Sequence, residues 1–383
     1  MMITTTEELK NLCERLAKSD MVAVDTEFIR QYTYWPMLCL VQIADDNESA
    51  CIDPLADGID LAPLFELMEN PNVLKVFHSA RQDLEIFYHL MGKVPSPLFD
   101  TQVGATVCGL GECVSYQHLV STFLKISIDK SVRYTDWSKR PLTESQIKYA
   151  LSDVIHLVPA YRRMAQMLQD NNRLDWVRAE MDELLDKNLY EPDPMTVWQK
   201  VKYRSDNPTF LSVLQHLCAW RERKALAENK ARPHVAKDEI LLEIAASKPK
   251  SCEDLGALRT VTKSLKKEPA CQEILNAIQA GLQTPDEQKP RPLQHLQLSA
   301  KQKSTADLLD LLLTIVCARA DVAPRLVASM DDLKKIAKGD ENVPAMAGWR
   351  YDVFGKYAQD FKKGKTAICL NPKTGLPELI ENR

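Results

Sequence analysis

The sequence predicts an α/β half built on a mixed sheet, followed by two small all-helical blocks. Three observations point there. Short segments rich in Val, Ile, Leu and Cys fall at residues 21–28, 37–44, 49–53 and 73–77. Strands come first and then alternate with helical segments, the order expected of a sheet covered by helices. After about Asp186 the strand signals stop, and from Pro208 onward every patterned segment is helical.

The first three strands are separated by polar or Pro-containing turns, which predicts a meander. A helix is expected over 61–69, then the strand 73–77, then a helix over 80–90. Further helices are expected over 101–108, 116–123 and 143–168. The last opens on Thr143 and stops before Asn171 and Asn172. Residues 190–194 (YEPDP) read as a linker, and 283–292 (QTPDEQKPRP) as a second break. These breaks divide the chain into residues 1–190, 207–285 and 293–378. Residues 235–245 and 327–337 share Val-Ala, an acidic residue and Leu-x-x-Ile-Ala, which suggests a duplicated helical unit.

With 383 residues, 45% hydrophobic and 27% charged, the chain has the composition of a globular protein of two or three domains. Its net charge of −4 is unevenly placed. Residues 1–206 carry 21 Lys/Arg against 31 Asp/Glu, whereas 207–283 and 284–383 are each at +3. A mildly basic second half suits a nucleic-acid partner and equally suits ordinary scatter. The ten cysteines form no CxxC pair, and a chain this long needs no disulfide staple. Residues 1–10 are polar, with Glu7 and Glu8 where a secretory leader would be basic. The longest apolar stretch, 308–318, is interrupted by Asp310 and is too short for a bilayer. A reduced cytoplasm without membrane contact is the expectation.

The chemistry lies in acidic residues at three places. Asp25 and Glu27 stand two apart in VAVDTEF, so on a strand both carboxylates project from one face. Paired acids on an apolar strand repel each other and are costly to desolvate, a conflict that a bound cation relieves. A solvent-exposed strand end is the plainer explanation. Asp83, in HSARQDLEIF, falls at a helix start, where an acid also simply complements the helix dipole. Tyr149 and Asp153, in YALSDV, lie one turn apart on a helix face; a core tyrosine beside a surface aspartate would look the same. Oxygen ligands without a His or Cys cluster favour Mg²⁺ or Mn²⁺ over zinc.

These three motifs resemble those of the DEDD exonuclease superfamily, in the subgroup with tyrosine in the third motif. LCLVQIA at 38–44, LFDTQVGA at 98–105 and TDWSKRPLTESQIKYALSDV at 135–154 extend the likeness to the bacterial ribonuclease D family. The two helical blocks resemble that family's HRDC domains, the second more distantly. The resemblance implies a ribonuclease-H-like exonuclease fold and two-metal phosphodiester hydrolysis. It assigns two divalent ions to Asp25, Glu27, Asp83 and Asp153, and the orientation of the attacking water to Tyr149. It also implies an RNA substrate, above all tRNA precursors with 3′ trailers, and a monomer is expected. The residues alone suit a DNA 3′–5′ exonuclease or a silent nucleic-acid-binding scaffold as well, and the tail could serve only for oligomerisation. No GxxxxGK[ST] loop is present, against a fused helicase.

Other residues stay open at this level. His78 reads as a packed structural histidine, and Asp100 as the N-cap of the helix after it. Trp137 and Arg140 suit a base stack and a phosphate contact, or a core residue and its surface partner. Arg221, Arg223 and Lys224, with Lys362, Lys363 and Lys365, suit phosphate contacts or a solvated face.

Overall fold

In the computed structural model, which describes residues 1–128, 135–292 and 296–382, six strands form one mixed sheet. They are β1 (Met2–Ile3), β2 (Met21–Ile29), β3 (Met37–Ala44), β4 (Ser49–Ile52), β5 (Leu74–Phe77) and β6 (Leu98–Asp100), in the order β1-β4-β3-β2-β5-β6. β2, β3 and β4 pair antiparallel, as a meander should, and β5 and β6 add parallel to β2. Parallel neighbours need a crossover, which the helices supply. These are α1 (Thr6–Leu16), α2 (Ala62–Glu69), α3 (Arg81–Met91), α4 (Thr101–Val107), α5 (Tyr116–Leu124), α6 (Glu144–Ile155), α7 (Leu157–Asp170) and α8 (Leu174–Leu184).

The sheet is buried on both faces. One face packs Val22, Val24 and Ile43 against a large core that includes residues of α1, α3 and α7. The other packs Leu40 and Cys51 against Ala150 and Ile147 of α6. That second face carries Asp25, so α6 is the lid over the acidic strand.

Three expectations need correction here. The single helix expected over 143–168 is two, broken at His156. Pro159 has no N–H for the carbonyl of Ile155 and its ring crowds that carbonyl, so the first helix stops there. The linker expected over 190–194 begins inside the core: Tyr190 is buried, its hydroxyl donates to the Leu184 carbonyl at 2.6 Å, and Arg81 lies over its ring. The third correction concerns cysteine, because Cys252 and Cys271 are joined in a disulfide.

Beyond residue 200 the first helical block holds α9 (Pro208–Ala227), α10 (Arg232–Val235), α11 (Asp238–Ser247), α12 (Cys252–Ala257) and α13 (Ala270–Gln283), around its own core. α9 and α13 touch where Gly281 lies; a Cβ there would come within 2.6 Å of the Val213 Cα. The second block holds α14 (Ala300–Ala320), α15 (Pro324–Val327), α16 (Met330–Lys338), α17 (Gly348–Arg350) and α18 (Lys356–Lys362), again with its own core. The boundary expected at residue 293 lies outside the described residues. The short sequence repeat coincides with repeated structure. α10 and α15 each have four residues, with Pro in the first turn, an extended Ala after the last and a longer helix next. The second block is not wholly helical, since β7 (Thr366–Leu370) and β8 (Pro377–Glu381) form an antiparallel hairpin. No helix among the described residues is long and apolar enough to cross a membrane.

Both blocks dock on the α/β half. Tyr34, in the β2–β3 loop, sits in the core of the first block and donates to Glu222 at 2.6 Å. Arg232 grips the same carboxylate through two bonds of 2.5 Å and lies over the Tyr34 ring. On the other side, Trp176 of α8 stacks on Trp349 at 4.5 Å, and Arg350 pairs with Glu180. Arg173 donates to the carbonyls of Val107, Asp321 and Ala320, closing the end of α14.

Candidate active site

Asp25 and Glu27 both lie on β2 before its one irregularity, a register shift between Glu27 and Phe28, so they keep the same face. Asp25 lines a cavity of about 310 Å³ together with His78, Tyr116, Tyr149 and Asp153. The third motif thus reaches the first because α6 lies across β2, β3 and β4. Trp137 is buried beneath, its ring 6.3 Å from that of Tyr149.

Asp83 is buried in the first turn of α3 and accepts a hydrogen bond from the Thr26 hydroxyl. Its carboxyl is held well above the usual carboxylate range, first by burial and then by the charge of Asp25. Burial also pushes Asp25 up to about 7. Tyr116, whose hydroxyl donates to the Ser152 carbonyl at 2.8 Å, is pushed up by burial and then by the charges of Asp153 and Asp25. The charge of Asp25 thus reaches both Asp83 and Tyr116, and that of Asp153 reaches Tyr116. Glu27 is half-buried on the adjoining stretch of β2, where its charge reaches the Cys39 thiol. Among the described residues, no three Asp, Glu, His or Cys side chains are preassembled as a cation cage. Neighbouring carboxylates without a cation between them repel.

The donor chemistry fits a hard divalent cation. Acids that burial and mutual charge make reluctant to ionise are stabilised when a cation replaces the proton. Gln42 adds a second observation. It pairs with Asp25 across β2 and β3, is completely buried, and neither amide atom has a protein partner. A buried amide left so costs free energy unless another group satisfies it.

Asp100 is the N-cap of α4, as expected, and does more. Its carboxylate accepts from the N–H groups of Ser79 at 2.9 Å, Ala80 at 2.8 Å and Gln102 at 2.8 Å. It thereby fixes the turn between β5 and α3 that carries His78 and delivers Asp83; Ser79 there has φ of 62°. His78 is packed, its Nδ1 2.9 Å from the Thr101 hydroxyl, and burial lowers its pKa.

Arg140 is committed elsewhere. Its guanidinium binds both Asp53 oxygens at 2.5 and 2.6 Å and the Cys39 carbonyl at 2.7 Å, which clamps the segment before α6 onto the sheet. The structural reading of Trp137 and Arg140 therefore holds. Of the bases singled out in the helical blocks, Arg221 is buried against Asp238, Lys224 pairs with Glu273, Lys362 donates to the Ile336 carbonyl and Lys365 pairs with Asp360. Residue-level reading missed Thr26, Gln42 and Tyr116. Thr26 and Gln42 look like ordinary strand residues, and their roles depend on which partners the fold brings opposite them.

Comparison with known proteins gives the family. A 3′-5′ exonuclease model matches residues 1–169, and an HRDC domain model matches residues 210–278. Ribonuclease D of Bartonella henselae is 42% identical over 372 residues, covering 97% of this chain and 92% of that protein. The chain belongs to the ribonuclease D family. Ribonuclease D of Gluconacetobacter diazotrophicus is 44% identical over 369 residues, covering 96% and 94% of the two chains. The crystal structure of Escherichia coli RNase D, described as an exoribonuclease involved in structured RNA processing, superposes with a TM-score of 0.82 at 28% identity. It covers 95% of this chain and 98% of that one. The enzymatic class is thus a 3′–5′ exoribonuclease, a hydrolase of phosphodiester bonds with a ribonuclease-H-like domain and a helical HRDC-bearing region. Dependence on divalent metal accompanies that exonuclease family.

Proposed function

We propose that this chain releases nucleotides singly from RNA 3′ ends. Asp25, Glu27, Asp83 and Asp153 would hold two Mg²⁺ or Mn²⁺ ions, and Tyr149 would orient the attacking water. The observation that carries this reading is the convergence of Asp25, Tyr149 and Asp153 on one cavity, with Asp83 buried and within reach of the Asp25 charge. When bound, the ions supply a hydroxide-like nucleophile and offset charge on the leaving 3′ oxygen. The protein's part is positional. Asp100 sets the turn before Asp83, and Trp137 backs the Tyr149 ring. Tyr149 would act by hydrogen bonding to the attacking water.

Residues 1–190 form the exonuclease domain in this reading. Residues 207–285 and 293–378 form two HRDC-like domains that hold the body of the RNA; the repeated α10–α11 and α15–α16 units support the second assignment. The substrates are tRNA precursors with 3′ trailers and other small structured RNAs, processed in the cytoplasm by a monomer. The support is the named activity of the relatives and the structured-RNA role of the E. coli protein.

A time course on 3′-tailed tRNA with Mg²⁺, Mn²⁺ or chelator tests this. The expected product is a ladder shortening from the 3′ end only when metal is present. Internal cuts, or equal shortening in chelator, would contradict it, and equally rapid loss of a tailed DNA would remove the RNA preference.

A further inference from the structure

The loop between β2 and β3 carries three aromatic residues with different fates. Tyr34 is buried in the first helical block. Trp35 stacks on His89 at 4.4 Å, and its N–H donates to the Asn229 side chain at 3.1 Å. These two fasten the seam between the sheet and the block. Tyr32 is 68% exposed, the largest share of any aromatic among the exposed large hydrophobics of the described residues. Its ring stacks on His234 of the first block, with centroids 5.5 Å apart and planes 25° from parallel. His234 is itself exposed, as are Lys237, three residues on, and Lys230, which pairs with Glu228 at 2.8 Å.

The stack is held from both sides. The Ala231 N–H donates to the Tyr32 carbonyl at 2.9 Å, and Arg232, next along, is locked onto Glu222 and Tyr34. An aromatic pair on so fixed a frame loses little conformational freedom when a third ring stacks on it. It also lies close along the chain to the proposed metal-holding carboxylates. Tyr32 lies five positions beyond Glu27, a reach of at most about 17 Å for extended chain. At about 3.4 Å per nucleotide along one strand, that span corresponds to no more than about five nucleotides.

We propose that Tyr32 and His234 form a base-stacking subsite for an unpaired nucleotide upstream of the scissile bond, built jointly by the exonuclease half and the first helical block. Every base has a π-face, so such a subsite grips single strands without reading sequence. The exposed Lys237, three residues beyond His234, suits an adjoining phosphate. The inference rests on the exoribonuclease reading for its substrate, but its test does not require hydrolysis.

The test is RNA binding by the full chain in chelator, read by fluorescence anisotropy. Single-stranded oligoribonucleotides would carry one abasic site at the second to the sixth position from the 3′ end. The expected result is that one or two adjacent abasic positions weaken wild-type binding roughly 5- to 150-fold, the range for loss of one base–aromatic stack. Those positions have no effect in Tyr32→Ala, while Tyr32→Phe, which keeps the ring face, behaves as wild type. The proposal is overturned if each abasic position costs the same in Tyr32→Ala as in wild type. It is equally overturned if Tyr32→Ala weakens all oligonucleotides alike and lowers the melting temperature, the mark of a seam residue only. Loss of the metal-dependent ladder with this pattern intact would instead strike the catalytic reading.

Discussion

At the scale of single residues, burial makes the acidic site costly until something neutralises it. Asp25 has a folded pKa of about 7 against an ordinary 3.8. A raised carboxyl pKa destabilises the fold as pH climbs from the unfolded to the folded value, and the full cost is present above 7. In chelator, Asp25→Asn should therefore melt higher than wild type at pH 8, by on the order of 4 kcal/mol at most, and the gap should close toward pH 4. Activity should fall by about a thousandfold or more, with the fold retained. A variant that melts lower at pH 8, or turns over normally, contradicts the assignment. In the sequence, Asp25 and Glu27 stand out as like charges two apart on an apolar strand and Tyr149 and Asp153 as a pair four apart on a helix, whereas Asp83 looks like any acid at a helix start and gains its candidacy only from the resemblance of the ordered set. Thr26 and Gln42 were not legible. Their significance comes from Asp83 and Asp25, brought opposite them by other elements.

Among the elements, β5 shows how a buried charge can be structural. Lys75 is fully buried and donates to the carbonyls of Asn70 at 2.9 Å and Ser96 at 2.5 Å, tying the turn before β5 to the entry of β6. Burial lowers its pKa to about 8. The unfolded chain then holds the extra proton between pH 8 and about 10.5, so stability rises with pH across that window. Relative to Lys75→Met, wild type should gain up to about 3 kcal/mol from pH 8 to 10.5, read from denaturant midpoints at each pH. A constant difference would mean that the amine titrates normally. The meander, β5 and most helices were readable from hydrophobic patterning. The split between α6 and α7 was written in Pro159 but outweighed by continuous helical periodicity. β7 and β8 are short and only half-buried, and they carry little of the apolar alternation that marks a strand.

For the whole molecule, both helical blocks are fastened to the α/β half by desolvated charges and stacked rings. Glu180 and Arg350 are nearly buried, and removing one partner leaves the other charge unpaired. Glu180→Ala should cost about 3–5 kcal/mol in docking of the second block, seen as an early thermal transition absent from wild type. Unchanged melting would show that the Trp176–Trp349 stack holds the seam alone. The division into one sheet-bearing and two helical parts was legible from where strand patterning ends, but the docking was not. Partners such as Tyr34 and Glu222 lie far apart in the chain, and nothing local to either announces the other. The same long-range assembly brings Asp25 of β2 and Asp153 of α6 to one cavity and sets Asp83 of α3 within reach of the Asp25 charge. Its most direct test is anomalous diffraction from crystals of the full chain soaked in Mn²⁺. Two strong peaks bound by the carboxylates of residues 25, 27, 83 and 153, and lost in Asp153→Asn, are predicted. Manganese bound elsewhere, or absent from that cluster at saturating concentration, would contradict the account.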